Sequence, residues 1–173
     1  HAIFPVFTIG LATFIAFLEM LAFRTGNPAW SRLSQFWIQV FAVAFAMGVV
    51  SGIVMSFQFG TNWSNFSYAA ANFIGPMRSY EVVTAFFLEA AFLGVLLFGR
   101  NKVPPGMHLF SACMVALGTF ISTFWILAAN SWMHTPVGTE LADGIFGVTS
   151  WGQAIFNPSF PYRFAHMVVA SFL

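Results

Sequence analysis

Charge is what this sequence has least of. Of 173 residues, six are Lys or Arg and five are Asp or Glu, 6% in all, for a formal net charge of +1. So sparse and balanced a set offers no basic face for nucleic acid and no acidic tail. A single cysteine, Cys113, excludes an intrachain disulfide, and its apolar run makes it a packing residue. No internal repeat or low-complexity tract is present. The first residue is His1 rather than Met, and the last apolar run stops at Leu173 after about half the residues needed to cross a bilayer, so the chain reads as a fragment. The first apolar segment has no basic leader and no small-residue cleavage site, which makes it a spanning helix rather than a secretory signal.

What is abundant is apolar and aromatic. Hydrophobic residues make up 59% of the chain and aromatics 19%, with 24 Phe, and the mean hydropathy of +0.82 lies outside the range of soluble domains. The expectation is an all-α integral membrane bundle with four complete transmembrane helices and the start of a fifth, as one domain over residues 1–173 truncated at its C-terminal end. Segment one runs from His1 to Phe23 and ends at Arg24-Thr25-Gly26-Asn27-Pro28, which is turn chemistry. Segment two, about Leu33 to Phe59, carries Ala42, Ala44, Ala46, Gly48, Ser51 and Gly52, small residues that let membrane helices approach closely. From Gly60 to Met77 the chain is polar and aromatic, with Gly75-Pro76 as a breaker, and is expected as a short interfacial helix held by Trp63 and Tyr68. Segment three is Ser79 to Gly99 between Arg78 and Arg100, and the turn Arg100 to Pro105 leads to segment four, about Met107 to Asn130. A long polar connection, Ser131 to Ser159, precedes segment five, which begins near Phe160.

Basic residues orient the segments. Arg24, Arg32, Arg100 and Lys102 lie in the one-two and three-four connections, against Arg78 and Arg163 on the other side, which puts those two connections in the cytoplasm and the N-terminus outside. His1, Glu81 and His166 then begin their segments at the outer face, and Glu89 lies about 12 Å deeper than Glu81. Ser122, Trp125 and Asn130 occupy the outer half of segment four.

Each of these residues has an ordinary reading beside a functional one. A His near a membrane interface serves as a hydrogen-bonded surface residue or as a ligand, and His1 at the depth of His166 draws the pair toward haem or metal. Glu81 at a helix start is a dipole-favoured interfacial acid or part of a site. Glu89 is tolerable in a span only when paired, protonated or facing a water-lined path, which points to proton transfer or a cofactor. Ser122 and Asn130 either extend a hydrogen-bonded path toward it or serve helix packing. Glu19 is expected to pair with Arg24 or to snorkel, and His108 and His134 to be solvated. The Met residues are expected to be packing residues.

Three stretches carry a resemblance. Gly48 to Trp63, the run from Glu81 to Glu89 with its Ala85-Phe86-Phe87-Leu88-Glu89 core, and Trp125-Ile126-Leu127-Ala128-Ala129-Asn130-Ser131-Trp132-Met133 resemble subunit I of cytochrome bd-type quinol oxidases. Asn157-Pro158 and Arg163-Phe164-Ala165-His166 are similar too, so that the likeness runs through the whole chain in order. It implies a quinol:oxygen oxidoreductase of a bacterial or archaeal cytoplasmic membrane that oxidises quinol at the outer face and reduces dioxygen to water. The implied cofactors are a low-spin haem b, a high-spin haem b, and a haem d or third haem b. The implied partners are a second oxidase subunit and small accessory subunits, with lipid around them. Carried over by motif, His1 resembles an axial ligand of one of the high-spin haems and His166 the histidine ligand of the low-spin haem b. Glu81 resembles the acid beside the high-spin haems and Glu89 the acid of the proton path, with Ser122 and Asn130 in the same polar region. Ala90 departs from a pattern in which a serine follows the second acid. The methionine partner of the low-spin haem, the quinol loop and a further haem-ligating acid would lie past Leu173, so the fragment alone is expected to be inactive.

Two other classes share these features. A proton-coupled transporter would use Glu81 and Glu89 without a cofactor, and an assembly subunit would use neither. An optical spectrum separates the first from an oxidase, and oxygen consumption after Glu89→Leu separates the second.

Overall fold

The computed structural model describes residues 1–173 and is helical almost throughout. Four stretches are long and apolar enough to cross a membrane: Ile3–Thr25, Pro28–Gly60, Ser64–Phe98 and Pro105–His134. We label α1 Ile3–Thr25, α2 Pro28–Gly60, α3 Ser64–Glu81, α4 Phe87–Phe98 and α5 Pro105–His134, with a π turn, Val82–Phe86, joining α3 to α4 without a break. Beyond α5 come strands β1 Thr139–Ala142 and β2 Ile145–Val148, then α6 Trp151–Ile155 and α7 Phe160–Ala170.

Local chemistry sets the ends. Gly26 closes α1 in the left-handed conformation, φ 63°, and Asn27 caps α2 by accepting from the Ala29 amide at 2.9 Å, with Pro28 in the first turn. The short separate helix expected over Gly60–Met77 is instead the first half of one continuous helix, Ser64–Phe98. Pro76 does not end it: one backbone bond is lost, but α3 packs along α5 and β2, and Ser79 donates to the Gly75 carbonyl at 3.0 Å.

Two apolar cores fill the bundle. One joins α1, α2, α4 and α5 through Leu11, Ile15, Ile38, Phe41, Leu93 and Val115. The other joins α3, α5 and α6 through Phe73, Met77, Trp132 and Ala154, with the Phe73 and Trp132 rings 4.5 Å apart. Only 33 of 173 residues are buried, and many large apolar side chains face outward, as in a chain whose solvent is lipid or neighbouring protein. The outward face of α2, with Val43, Met47, Val50, Ile53, Val54 and Phe57 exposed, is the clearest case.

At the end of the bundle holding the α1–α2 turn, two expectations are corrected. Glu19 pairs not with Arg24 but with Arg100 at 2.5 Å and His108 Nδ1 at 2.9 Å, and also accepts from the Ser34 hydroxyl. Arg100 donates further to Ser31 at 2.6 Å. His108 is buried rather than solvated, its Nε2 lying 3.2 Å from the Leu96 carbonyl. A carboxylate six residues from the end of α1 faces the bundle, out of reach of solvent, and finds a guanidinium and an imidazole that the chain delivers from the α4–α5 turn and α5.

The polar connection after α5 is ordered by a hairpin and one asparagine. Asp143 and Gly144, at φ 51° and 77°, form the two-residue turn between paired strands β1 and β2. Asn157, fully buried, donates to Ser131 Oγ at 2.8 Å and accepts from Thr135 Oγ1 at 2.8 Å, which pins the start of α7 to the end of α5. At the other end of α7, the Ser171 carbonyl sits where a side chain on Gly10 of α1 would be.

Candidate functional site

A cavity of about 430 Å³ opens between the last turns of α2, the length of α3 and the second half of α5. Its walls are mostly apolar, with Met55, Phe59, Trp63, Ile74, Met77 and Trp125 among them. Three polar residues line it: Arg78, Glu81 and Asn130. That composition, a few polar groups in an apolar concavity of several hundred Å³, is the usual build of a ligand site.

Each polar group is held by a neighbour. Glu81 accepts from Ser122 Oγ of α5 at 3.0 Å. Arg78 lies 4.6 Å over the Phe59 ring and donates to Ser56 at 2.7 Å. Asn130 accepts from Arg163 of α7 at 3.0 Å. Trp125 stacks on Tyr80 with ring centres 5.4 Å apart and donates its indole N–H to Thr84 at 2.9 Å.

Glu89 lies outside the cavity lining but on the same side of the helix pair. It is 7% exposed, and its Oε1 is buried with no hydrogen-bond partner. The side chain rests on Gly118 of α5, one turn from Ser122. A Cβ at Gly118 would overlap Glu89 Cγ and stand 3.3 Å from Oε1 and 3.4 Å from the carboxyl carbon. The expected path through Ser122 therefore reaches Glu81 rather than Glu89, and Asn130 turns to Arg163.

His1 sits against α2. Its Nδ1 is 2.8 Å from Ser51 Oγ, and its ring covers Gly52, whose Cβ would come 3.1 Å from Cε1. The Ser51 hydroxyl also lies within reach of the Gly48 carbonyl, 3.0 Å away, to which it can donate its one proton. With the proton there, Ser51 would accept from Nδ1–H of a neutral His1, and Nε2 would be the nitrogen left with a lone pair for a ligand. Gly52 is one turn from Met55 of the cavity wall. His166 stands apart from this group, exposed on α7, three residues beyond Arg163 and so on the same helix face.

These residues fit a haem better than a bare ion. No group of three or more His, Cys, Asp or Glu is present to hold a metal, whereas a porphyrin brings its own four nitrogens and asks the protein for an apolar slot and one or two axial donors. The cavity offers an apolar slot with the Arg78 guanidinium in its wall, and the imidazoles of His1 and His166, both outside its lining, are the side chains that could ligate iron.

The comparisons with known proteins bear on the same question. The family model described as cytochrome bd terminal oxidase subunit I matches residues 1–173. The chain belongs to that family. Within it, the chain is 36% identical over 168 residues to cytochrome bd ubiquinol oxidase subunit 1 of Bacillus subtilis (strain 168), covering 97% of this chain and 36% of that protein. It is 36% identical over 175 residues to cytochrome bd-II ubiquinol oxidase subunit 1 of Escherichia coli (strain K12), covering 100% of this chain and 34% of that one. The chain thus spans about a third of the length of these curated relatives. The bd oxidase structure from Geobacillus thermodenitrificans superposes with a TM-score of 0.91 at 30% identity, over 98% of this chain and 39% of that chain. The membrane helical bundle expected from composition is therefore the fold of this subunit I chain.

Sequence reasoning singled out Glu81, Glu89, Ser122 and Asn130. It passed over Thr84 and Gly118, and took Ser51 only as a small packing residue. Nothing in the spacing marks Thr84 or Gly118, because their partners come from another helix.

Proposed function

We propose that this chain is the haem-ligating and proton-delivering part of a terminal oxidase that takes electrons from quinol and reduces dioxygen to water. The observation that carries the reading is an acid pair of unequal surroundings: Glu81 borders an apolar cavity, and Glu89 is buried behind it with an unpartnered oxygen. Oxygen reduction consumes protons, and an electron arriving in a low-dielectric site is stabilised when a proton arrives with it. Glu89 has no fixed partner to hold it ionised, so it takes up a proton and passes it outward. Glu81, tied to Ser122, receives the proton at the cavity wall.

His1 and His166 are the axial donors. His1 is oriented by Ser51, and His166 belongs to the low-spin haem b that accepts electrons from quinol. The haems, a low-spin b, a high-spin b and a haem d or third haem b, supply the electron transfer and oxygen chemistry when bound. Arg78 offers charge to the carboxylates of such a group, and the apolar walls keep bulk water from it. The assembly sits in a bacterial or archaeal cytoplasmic membrane with the N-terminus outside, beside a second oxidase subunit and small accessory subunits.

The test is a reduced-minus-oxidised spectrum of the complete subunit in its complex, with His1→Ala and His166→Ala beside wild type. His1→Ala is expected to diminish a high-spin signal and His166→Ala the low-spin b signal. Unchanged spectra in both variants would overturn the ligand roles, and the absence of any haem absorption in wild type would leave a proton-coupled transporter. Oxygen consumption of Glu89→Gln is expected to fall; wild-type turnover would remove Glu89 from the proton path.

A further inference from the structure

Glu81 and Glu89 are eight residues apart on one continuous helix. In an unbroken α-helix eight residues at about 100° each advance about 800°, some 80° past two turns, and the two side chains would diverge. They do not diverge: Glu81 meets Ser122 and Glu89 meets Gly118, residues one turn apart on the same face of α5. The π turn Val82–Phe86 lies between them. A turn with i→i+5 bonding takes in one extra residue. The acids then stand as if seven α-helical positions apart, about 20° short of two turns.

A π turn needs support, because widening the helix weakens its backbone bonding. Here the Thr84 hydroxyl donates to the Tyr80 carbonyl at 2.6 Å and accepts the Trp125 indole N–H at 2.9 Å. Both ends of this stitch are anchored, since Tyr80 and Trp125 also stack.

We propose that Thr84 is a positioning residue: by stitching the π turn to Trp125, it holds Glu81 and Glu89 toward one face of α5, so that the two carboxyl groups act as a coupled pair. Thr84 does not line the cavity and acts through the helix. The inference rests on the reading of both acids as proton carriers, and extends it to how they are kept in line.

The experiment uses the complete oxidase and infrared difference spectra on reduction. The Glu89 carboxyl band is assigned by its loss in Glu89→Gln, and its shift on Glu81→Gln measures the coupling of the pair. In Thr84→Val, which keeps the shape and removes the hydroxyl, the shift caused by Glu81→Gln is expected to vanish and oxygen consumption to fall. Thr84→Ser is expected to restore both. If Thr84→Val does not assemble, Trp125→Phe removes the indole donor alone and is expected to reduce the same shift. A band present in wild type whose response to Glu81→Gln is the same in Thr84→Val, or in Trp125→Phe where that variant stands in, overturns the positioning role and leaves the acids' role standing. No Glu89 band in wild type overturns the acid reading and this inference with it.

Discussion

Adding one methyl group at Gly118 tests how tightly Glu89 is held. The new Cβ would overlap Glu89 Cγ and stand 3.3 Å from Oε1. The obstructing atom is in the middle of a buried side chain rather than at its free end, so it cannot swing aside into solvent. Forcing a methyl group into a packed interior costs about 1–3 kcal/mol. Offsetting this, Ala is a better helix former than Gly by about 0.8–1.0 kcal/mol in a helix interior. The net expectation is a loss of up to about 2 kcal/mol for Gly118→Ala in the wild-type background. In a Glu89→Ala background the opposing Cγ is gone, so only the gain in helix propensity remains and the same change is neutral or stabilising. The difference between backgrounds is the coupling energy, within the range of about 0.5–3 kcal/mol seen for residues in contact. The assay is thermal unfolding of the purified complex in detergent, read by loss of helical circular dichroism in the four chains of the cycle. Equal effects of Gly118→Ala in both backgrounds would refute the cradle.

Other consequences are simpler. Glu19→Ala leaves Arg100 and His108 facing an apolar interior and is expected to cost about 3–5 kcal/mol in unfolding measurements. Replacing Glu19, Arg100 and His108 together by apolar residues of similar size is expected to cost less than Glu19→Ala alone. Asn157→Ala removes the side chain that joins Ser131 and Thr135 of α5 to the start of α7, while those hydroxyls keep the Ala128 and Ser131 carbonyls and Ser159 as partners, for about 0.5–1.5 kcal/mol per bond lost. Limited proteolysis between Pro136 and Ser159 should then proceed faster, while the α1–α2 end of the bundle is unaffected.

The spans were legible because membrane helices announce themselves by length and hydropathy, and the two acids because so few charges occur. Pro76 misled, since a proline is a breaker only where packing on both sides is too weak to outweigh one lost backbone bond. Glu19 and His108 misled for another reason. Their partners lie 81 and 89 residues away in the chain, and only the fold brings Arg100 and His108 to α1. The hairpin did leave a trace in Asp143-Gly144, a pair suited to a two-residue turn, but short strands on a polar connection have no apolar alternation to confirm them. The π turn left none: Val82-Val83-Thr84-Ala85-Phe86 has no composition that distinguishes it from an α-helix.

The hairpin on the flank of α3 also acts as a depth gauge. A two-stranded sheet has open edges whose amides must meet water, and hydrocarbon does not tolerate them. β2 packs on α3 beside Asn72, which reaches the Phe146 carbonyl at 3.4 Å. Where those edges meet water rather than neighbouring protein, the aqueous boundary reaches down α3 at least to that level. Ile74, Met77 and Arg78 of the cavity wall begin within two turns of it. The cavity accordingly belongs to the rim of the membrane rather than its middle.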